Sequence, residues 1–433
     1  MVSGGEPWLR CAALDAATMR AVRETMIFEH CKWDPQVGDT DVLCPTPLVL
    51  KAEAATELAR LAEAMAVEVI EAEAAILGSA RALAELGLPG TLRRALAREG
   101  SGSGWARRAR VMRFDFHATV EGWRVSEVNS DVPGGYVETK GLAETIAAHF
   151  PAARPAGDPV AALVGATAPG ARVALVHATA YTDDRQVMVY LARALEAAGR
   201  RARLLGPDQV RWRDGRAYPK GGCGKEGNAG TVAEAFDVVF RFYPAEWLPN
   251  LGWWSGWRDF VRGGVTPQLN PPGAVVSQSK RFPLACARLG LRLPTWDALV
   301  PETRDPRAVF GRGGAPADEA EWVLKPALGR VGEGVGLGAV TPAGEWEKIR
   351  KAARRWPELW AAQRRFRATA WVTEEGPRYP CLGVYVIGGK AAGIYGRAAA
   401  RPLVDAQAQD LAVLVAEEAF AQAEVNFKSI LSL

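Results

Sequence analysis

Between Val111 and Glu138 the chain reads VMRFDFHATVEGWRVSEVNSDVPGGYVE, and its chemically capable side chains are spaced at the period of a strand. Arg113, Asp115 and His117 alternate with Phe114 and Phe116, the two-residue repeat of a half-buried strand. After Val120-Glu121-Gly122 a second strand is expected from Trp123 to Asn129, with Glu127 and Asn129 on one face. A hairpin register that sets Asp115 opposite Glu127 also sets Arg113 opposite Asn129. Directly opposed carboxylates repel one another across a strand pair unless a positive charge lies between them. An oxygen-rich set of Asp, Glu and Asn suits a hard cation, and Mg²⁺ usually completes its shell with substrate phosphates. An ordinary solvated charged face fits the same residues. The hairpin alone leaves both readings open.

Other segments carry groups suited to phosphates. Glu321–Pro326 (EWVLKP) reads as a strand that runs into ALGRVGEGVGLG. That is a glycine-rich turn rejoining a strand, a lid rather than a strand–loop–helix phosphate loop, and it lacks G-x-x-x-x-G-K-[ST] and G-x-G-x-x-G before a helix. Its backbone amides can still close over phosphates, with Lys325 as a point charge. The loop 219–230 (PKGGCGKEGNAG) is a weaker phosphate signal and reads as a turn. In the turn TAYTDDRQ, Asp183 and Asp184 precede a helix, where the helix dipole favours acids; the other reading is that they hold a cationic amine. The chain has four histidines and neither G-x-S-x-G nor H-E-x-x-H, so nucleophilic hydrolysis is poorly supported. Lysines, arginines, a glycine lid and an Asp/Glu/Asn set point to phosphoryl chemistry.

The elements that must position these groups follow from pattern. Residues 48–98, rich in Ala, Leu and Glu, place Leu58, Leu61, Met65 and Val69 at helical spacing, and a long packed helix is expected, with Gly87–Gly90 as a turn. Arg172–His177, a helix over Gln186–Ala198 and Arg201–Leu205 form a βαβ-like unit. Asp237–Phe242 is a further buried strand, and the Trp-rich segment after it is expected to pack between lobes. Trp371–Val372 and Cys381–Ile387 read as strands, and Asp405–Val425 as a closing helix.

Composition bounds the class. With 433 residues the chain can bury a sizeable core in two or three domains. A net charge of +4 demands no polyanionic partner. Arg350–Trp371 interleaves basic and aromatic residues, yet its basic run is short, so arginines on a helix face are expected and nucleic acid is not. Six scattered cysteines without a C-x-x-C pair fit a reducing compartment. No signal sequence or membrane span is visible. A cytoplasmic protein with no membrane partner is expected.

Five segments taken together resemble the synthetase half of glutathionylspermidine synthase, an ATP-grasp ligase family. R-F-D with E-V-N twelve residues on, continuing S-D-V-P, is similar to its R-x-D…E-x-N-x-D-x-P. T-D-D-R-Q-V-M-V-Y-L (182–191), R-F-Y-P-A-E-W (241–247), V-L-K-P-A-L-G-R (323–330) and A-G-I-Y-G-R (392–397) follow in the family's order. The resemblance implies an α/β (α+β) fold class. It also implies an ATP-grasp fold in permuted order, with Mg-binding strands early and an α/β lobe. The corresponding divisions are 1–155 (helical segment plus hairpin), 156–275 (substrate lobe) and 276–433 (nucleotide lobe with lid). It implies that Asp115, Glu127 and Asn129 bind Mg²⁺ and that Arg113 is catalytic, stabilising charge on the reacting carboxyl. Lys280, Lys325, Gly332 and Gly334 would contact ATP. Arg330 and Arg397 would hold the carboxylate substrate, and Asp183 or Asp184 the amine. The implied activity is ATP-dependent amide formation, through an acyl phosphate, between small-molecule partners: a peptide or amino-acid carboxylate and an amine or polyamine. The sequence lacks the family's S-R-F-x-P-H ending and a Cys/His amidase half, and reads S-K-R-F where N-K-A is expected. The identities of acid and amine therefore stay open. The alternative is a non-catalytic nucleotide- or peptide-binding module on the same scaffold.

Overall fold

A computed structural model describes residues 6–33, 35–38, 40–99, 110–220, 234–310, 319–329, 334–338 and 340–417. Its first long helix, α1 (Ala52–Leu77), turns Leu58, Leu61, Met65 and Val69 inward as the spacing predicts. The helical run is shorter than expected. Leu48–Leu50 is a strand, Ser79 caps a separate short helix Ala80–Ala84, and Gly87 adopts a positive φ before the helix Gly90–Glu99. Ser79 accepts from Ala82 N at 3.3 Å, satisfying a helix-end amide that the long helix would have left inside.

The charged hairpin forms as read. β1 (Val111–Thr119) and β2 (Gly122–Asn129) pair antiparallel, with Arg113 opposite Asn129 and Asp115 opposite Glu127. The register shifts between Asp115 and Phe116, a bulge of the kind that re-aims side chains near sites. Phe114 and Phe116 are fully buried in a core shared with Leu58, Met65 and Val69 of α1. Burying each such side chain contributes about 1.5–3 kcal/mol, which anchors one face of the hairpin and leaves the other for chemistry.

The helix α2 (Thr182–Ala197) begins four residues earlier than expected, and Asp183 and Asp184 fall in its first turn. It crosses between parallel strands of a four-stranded sheet ordered Gln268–Leu269, Val238–Phe242, Arg172–His177, Arg201–Leu205. A third sheet carries the lid strand β3 (Trp322–Pro326) between β4 (Trp360–Arg364) and Gly336–Leu337. Helix Ala343–Arg355 covers it through Trp346, Ile349 and Ala353. Arginines 350, 354 and 355 ride on that helix, while the continuation to Arg364 is strand rather than helix.

The hairpin sheet is completed from the far end of the chain by β5 (Gly376–Ile387), β6 (Lys390–Ala399) and β7 (Gln409–Leu411). Its order is β7-β6-β5-β1-β2, with Trp371–Thr373 paired to β5. The expected helix over Asp405–Val425 is corrected here. Gln409–Leu411 and Val413–Ala416 are strands, the latter set between Leu48–Leu50 and Ala153–Pro155 with all four residues buried. Residues 418–433 lie outside the described ones. Two sheets thus join the first and last segments of the chain. The Trp-rich segment also differs from expectation. Trp257 is buried, but Trp253 is 91% exposed. Among the described residues no helix is long and apolar enough to cross a membrane.

Candidate active site

The free face of the hairpin forms one wall of a cleft of about 710 Å³. Arg113 makes a two-pronged contact with Asp115, Nε to Oδ1 at 2.8 Å and Nη2 to Oδ2 at 2.9 Å, and donates from Nη1 to the Gly134 carbonyl at 2.6 Å. Its guanidinium carbon stands 4.8 Å from the centre of the Tyr395 ring. Gly383 lies opposite Asp115 on β5, and a Cβ there would come within 2.6 Å of Arg113 Cδ, so the bare backbone gives the arginine stem its room.

Across the hairpin, Asn129 Nδ2 donates to Asp115 Oδ2 at 3.0 Å and to Glu127 Oε1 at 3.3 Å. Gln278 holds the strand exit by accepting from Ser130 N and Asp131 N, and its Nε2 lies 3.4 Å from Asn129 Oδ1. An amide donor bridging the two carboxylates marks a point where positive charge is favoured. Turning that amide presents its oxygen to the same point, giving three hard oxygens of the kind Mg²⁺ takes. Among the described residues no three His, Cys, Asp or Glu side chains share a point. A cation held between Asp115 and Glu127 would have the Asn129 amide oxygen as its third protein donor. The donor set fits Mg²⁺.

Two lysines face the same wall. Lys280 Nζ is 2.9 Å from Glu127 Oε2 and donates to the Gly329 carbonyl at 3.0 Å. Lys325, from β3, donates to the Ser126 carbonyl at 3.0 Å and to Gln363 Oε1 at 2.7 Å. Burial raises the Glu127 carboxyl, but Lys280, Lys325 and Arg113 outweigh it and bring the group down to about 2. Burial pushes Asp115 up, Arg113 pulls it down and Glu127 pushes it up again, with a net rise. Of the two carboxylates, Asp115 is the one that a bound cation would relieve. Burial lowers Lys325 to about 8, with Lys280 adding to the fall and Glu127 opposing it. Burial and Lys325 lower His117 to about 4, so its ring is neutral, 3.0 Å from Ser126 Oγ.

The remaining expected residues divide. Asp183 and Asp184 line the cleft from the first turn of α2. Arg397 lines it too, but its Nη2 is committed to the Asp405 and Ala408 carbonyls, both at 2.9 Å, so it braces a loop that also lines the cleft. Gly334, at φ +69°, packs by Pro326 and Trp360, and its neighbour Val335 lines the cleft instead. Arg330 and Gly332 lie outside the described residues, as does most of the loop 219–230. Sequence reading missed Lys32, Glu138, Tyr395 and Asp410, which also line the cleft. Tyr395 stands inside A-G-I-Y-G-R and Gln278 inside Q-S-K-R-F, so both were in view; nothing marked Lys32.

A family model described as glutathionylspermidine synthase preATP-grasp matches residues 44–415. The chain belongs to this family. Among solved structures it is similar to a glutathione synthetase-like effector from Globodera pallida in apo form. That match has 11% identity and a TM-score of 0.59, and covers 94% of this chain and 99% of that one. It is also similar to a putative gamma-glutamylcysteine synthetase from Methylobacillus flagellatus KT, with 12% identity and a TM-score of 0.40, covering 79% of this chain and 88% of that one. No curated protein matches the sequence. As a member of the glutathionylspermidine synthase family, the chain has a mixed α/β ATP-grasp-like fold, with the charged hairpin ahead of the lid strand. The matched segment begins after Lys32.

Proposed function

We propose that the chain is an ATP-dependent carboxylate–amine ligase that forms an amide bond and releases ADP and phosphate. The observation carrying this reading is the convergence of Arg113, Asp115, Glu127, Asn129, Lys280 and Lys325 on one cleft. They come from the hairpin, from the turn before the helix Phe282–Leu289 and from β3, and Lys325 meets the Ser126 carbonyl across 199 positions. In this reading Asp115, Glu127 and Asn129 hold Mg²⁺, which would supply charge to the phosphates of ATP. Lys325 and Lys280 neutralise phosphate oxygens, with Gly332 and Gly334 as further ATP contacts. Arg113 faces the reacting carboxylate and stabilises the charge that develops as the amine adds.

The chemistry then balances simply. A carboxylate oxygen attacks the γ-phosphorus of ATP and ADP leaves, giving an acyl phosphate. The amine attacks the acyl carbon, loses a proton and expels phosphate. The protein contributes positioning and fixed charge rather than covalent bonds, and a covered cleft keeps water from the acyl phosphate. Asp183 and Asp184 hold the amine and Arg330 orients the acid, while Arg397 fixes the 405–408 backbone beside the cleft.

The test is a phosphate-release screen over pairs of amino acids, short peptides and amines with Mg·ATP. Release that needs both partners supports the ligase. ATP binding with no release for any pair favours a non-catalytic binding module.

A further inference from the structure

Lys32 reaches the cleft from a segment that the family match does not include. Its ammonium is buried, with 8% of the side chain exposed, and lies 2.5 Å from Glu138 Oε1 and 2.7 Å from Asp410 Oδ2. Both carboxylates are nearly as buried, at 11%. Burial alone would drive this lysine toward neutrality, but Asp410 and Glu138 hold it charged, well above the ordinary lysine range. Tyr395 joins the cluster to the hairpin: its hydroxyl donates to Asp410 Oδ1 at 2.9 Å, and its ring lies under the Arg113 guanidinium. A single aromatic ring thus separates the reacting end of the cleft from two carboxylates that already have a cation between them.

Two buried carboxylates facing a cleft form a natural seat for a substrate ammonium group. We infer that Lys32 is a specificity-determining residue that fills this seat as a tethered alkylammonium. The amine partner of the proposed ligation therefore carries no second ammonium that would need this seat. The acceptor class is a monoamine or an amino acid rather than a diamine or polyamine. Breaking a merely structural ion pair would open an anionic cavity too, so the separating readout is acceptor choice. In phosphate release Lys32→Ala should gain 1,4-diaminobutane relative to n-butylamine, and an unmoved ratio would overturn the assignment. The inference rests on the ligase reading for its consequence, but the seat itself can be read by binding alone.

The experiment compares the full-length protein with Lys32→Ala by calorimetric titration without ATP, using 1,4-diaminobutane, n-butylamine and 1,4-butanediol. In Lys32→Ala, affinity for 1,4-diaminobutane should rise at least about tenfold over the native chain, with the diol unchanged. The native chain should bind the diamine no more than about threefold better than the monoamine. Lys32→Met, which removes the charge but keeps the seat filled, should stay at the native level. If Lys32→Ala does not fold alone, folding in the presence of the diamine but not the diol is the same readout. An unchanged diamine affinity, equal rescue by the diol, rescue by neither, or a tenfold native preference for the diamine would each overturn the assignment. Failure of every acid–amine pair to release phosphate would count against the ligase and leave these binding outcomes standing.

Discussion

Lys280 Nζ lies 2.9 Å from Glu127 Oε2, and the same ammonium donates to the Gly329 carbonyl at 3.0 Å. One side chain therefore ties the charged hairpin to the entry of the glycine turn. With Glu127 held down to about 2 from an ordinary 4.5, its share of stability is complete above pH 4.5 and is lost as pH falls through about 2. Glu127→Gln should cost about 2–4 kcal/mol at pH 7, because it strands a buried ammonium, and should flatten the acid limb of the stability curve. Urea unfolding at stepped pH reads both effects. An unchanged midpoint at pH 7 would show the pair to be incidental.

Arg113 depends on a glycine for its place. Gly383→Ala puts a methyl group within 2.6 Å of Arg113 Cδ and must displace the guanidinium from Asp115. Turnover should fall by about 10²-fold, the scale of a misplaced positioning or charge-stabilising group, while ATP affinity changes less than about threefold. Fluorescent-nucleotide binding beside steady-state rates separates the two.

Lys325, lowered to about 8, should make nucleotide binding depend on pH. Its charge is complete below about pH 7 and lost as pH rises through 8. Affinity of the free protein for ATP should drop by about tenfold per pH unit above that point. Lys325→Arg should remove this fall, since a guanidinium stays charged. Stability runs the other way. Between 8 and the ordinary 10.5 the unfolded chain binds more protons at this site, so folding is favoured as pH rises through that window.

The exit of the hairpin is fixed by a fully buried ion pair, Asp131 with Arg241. Asp131 also accepts from Ala245 N at 2.8 Å, and Arg241 Nε donates to the Asn270 carbonyl at 3.0 Å. Asp131→Ala should destabilise by about 3–5 kcal/mol, because it leaves a buried guanidinium unpaired. Asp131→Leu with Arg241→Met should recover much of that loss. Denaturant midpoints of the single and double variants decide it.

The hairpin was legible because its information is local: alternation, a two-residue loop and a register linking Asp115 to Glu127 all lie within nineteen positions. The lid strand and the βαβ unit were legible for the same reason. The end of the chain was misread because an Ala-rich stretch suggests helix, while Val413–Ala416 gains more by pairing on both edges, with buried Leu48–Leu50 and with Ala153–Pro155. The Lys32 cluster was not legible at all. Lys32 and Asp410 meet across 378 positions, and no local pattern encodes that meeting. Arg397 was found by motif, but its grip on the 405–408 backbone depends on the tertiary fold.

The central claim is that a carboxylate takes phosphate from ATP before the amine attacks. With an acid–amine pair that supports phosphate release, the acid labelled with ¹⁸O in its carboxylate should transfer one labelled oxygen to the released phosphate. Mass spectrometry of that phosphate, beside the condensed amide, is the most direct measurement. One ¹⁸O per phosphate in step with amide formation is the predicted result. Unlabelled phosphate, or ATP hydrolysis at the same rate without the acid, would contradict the account.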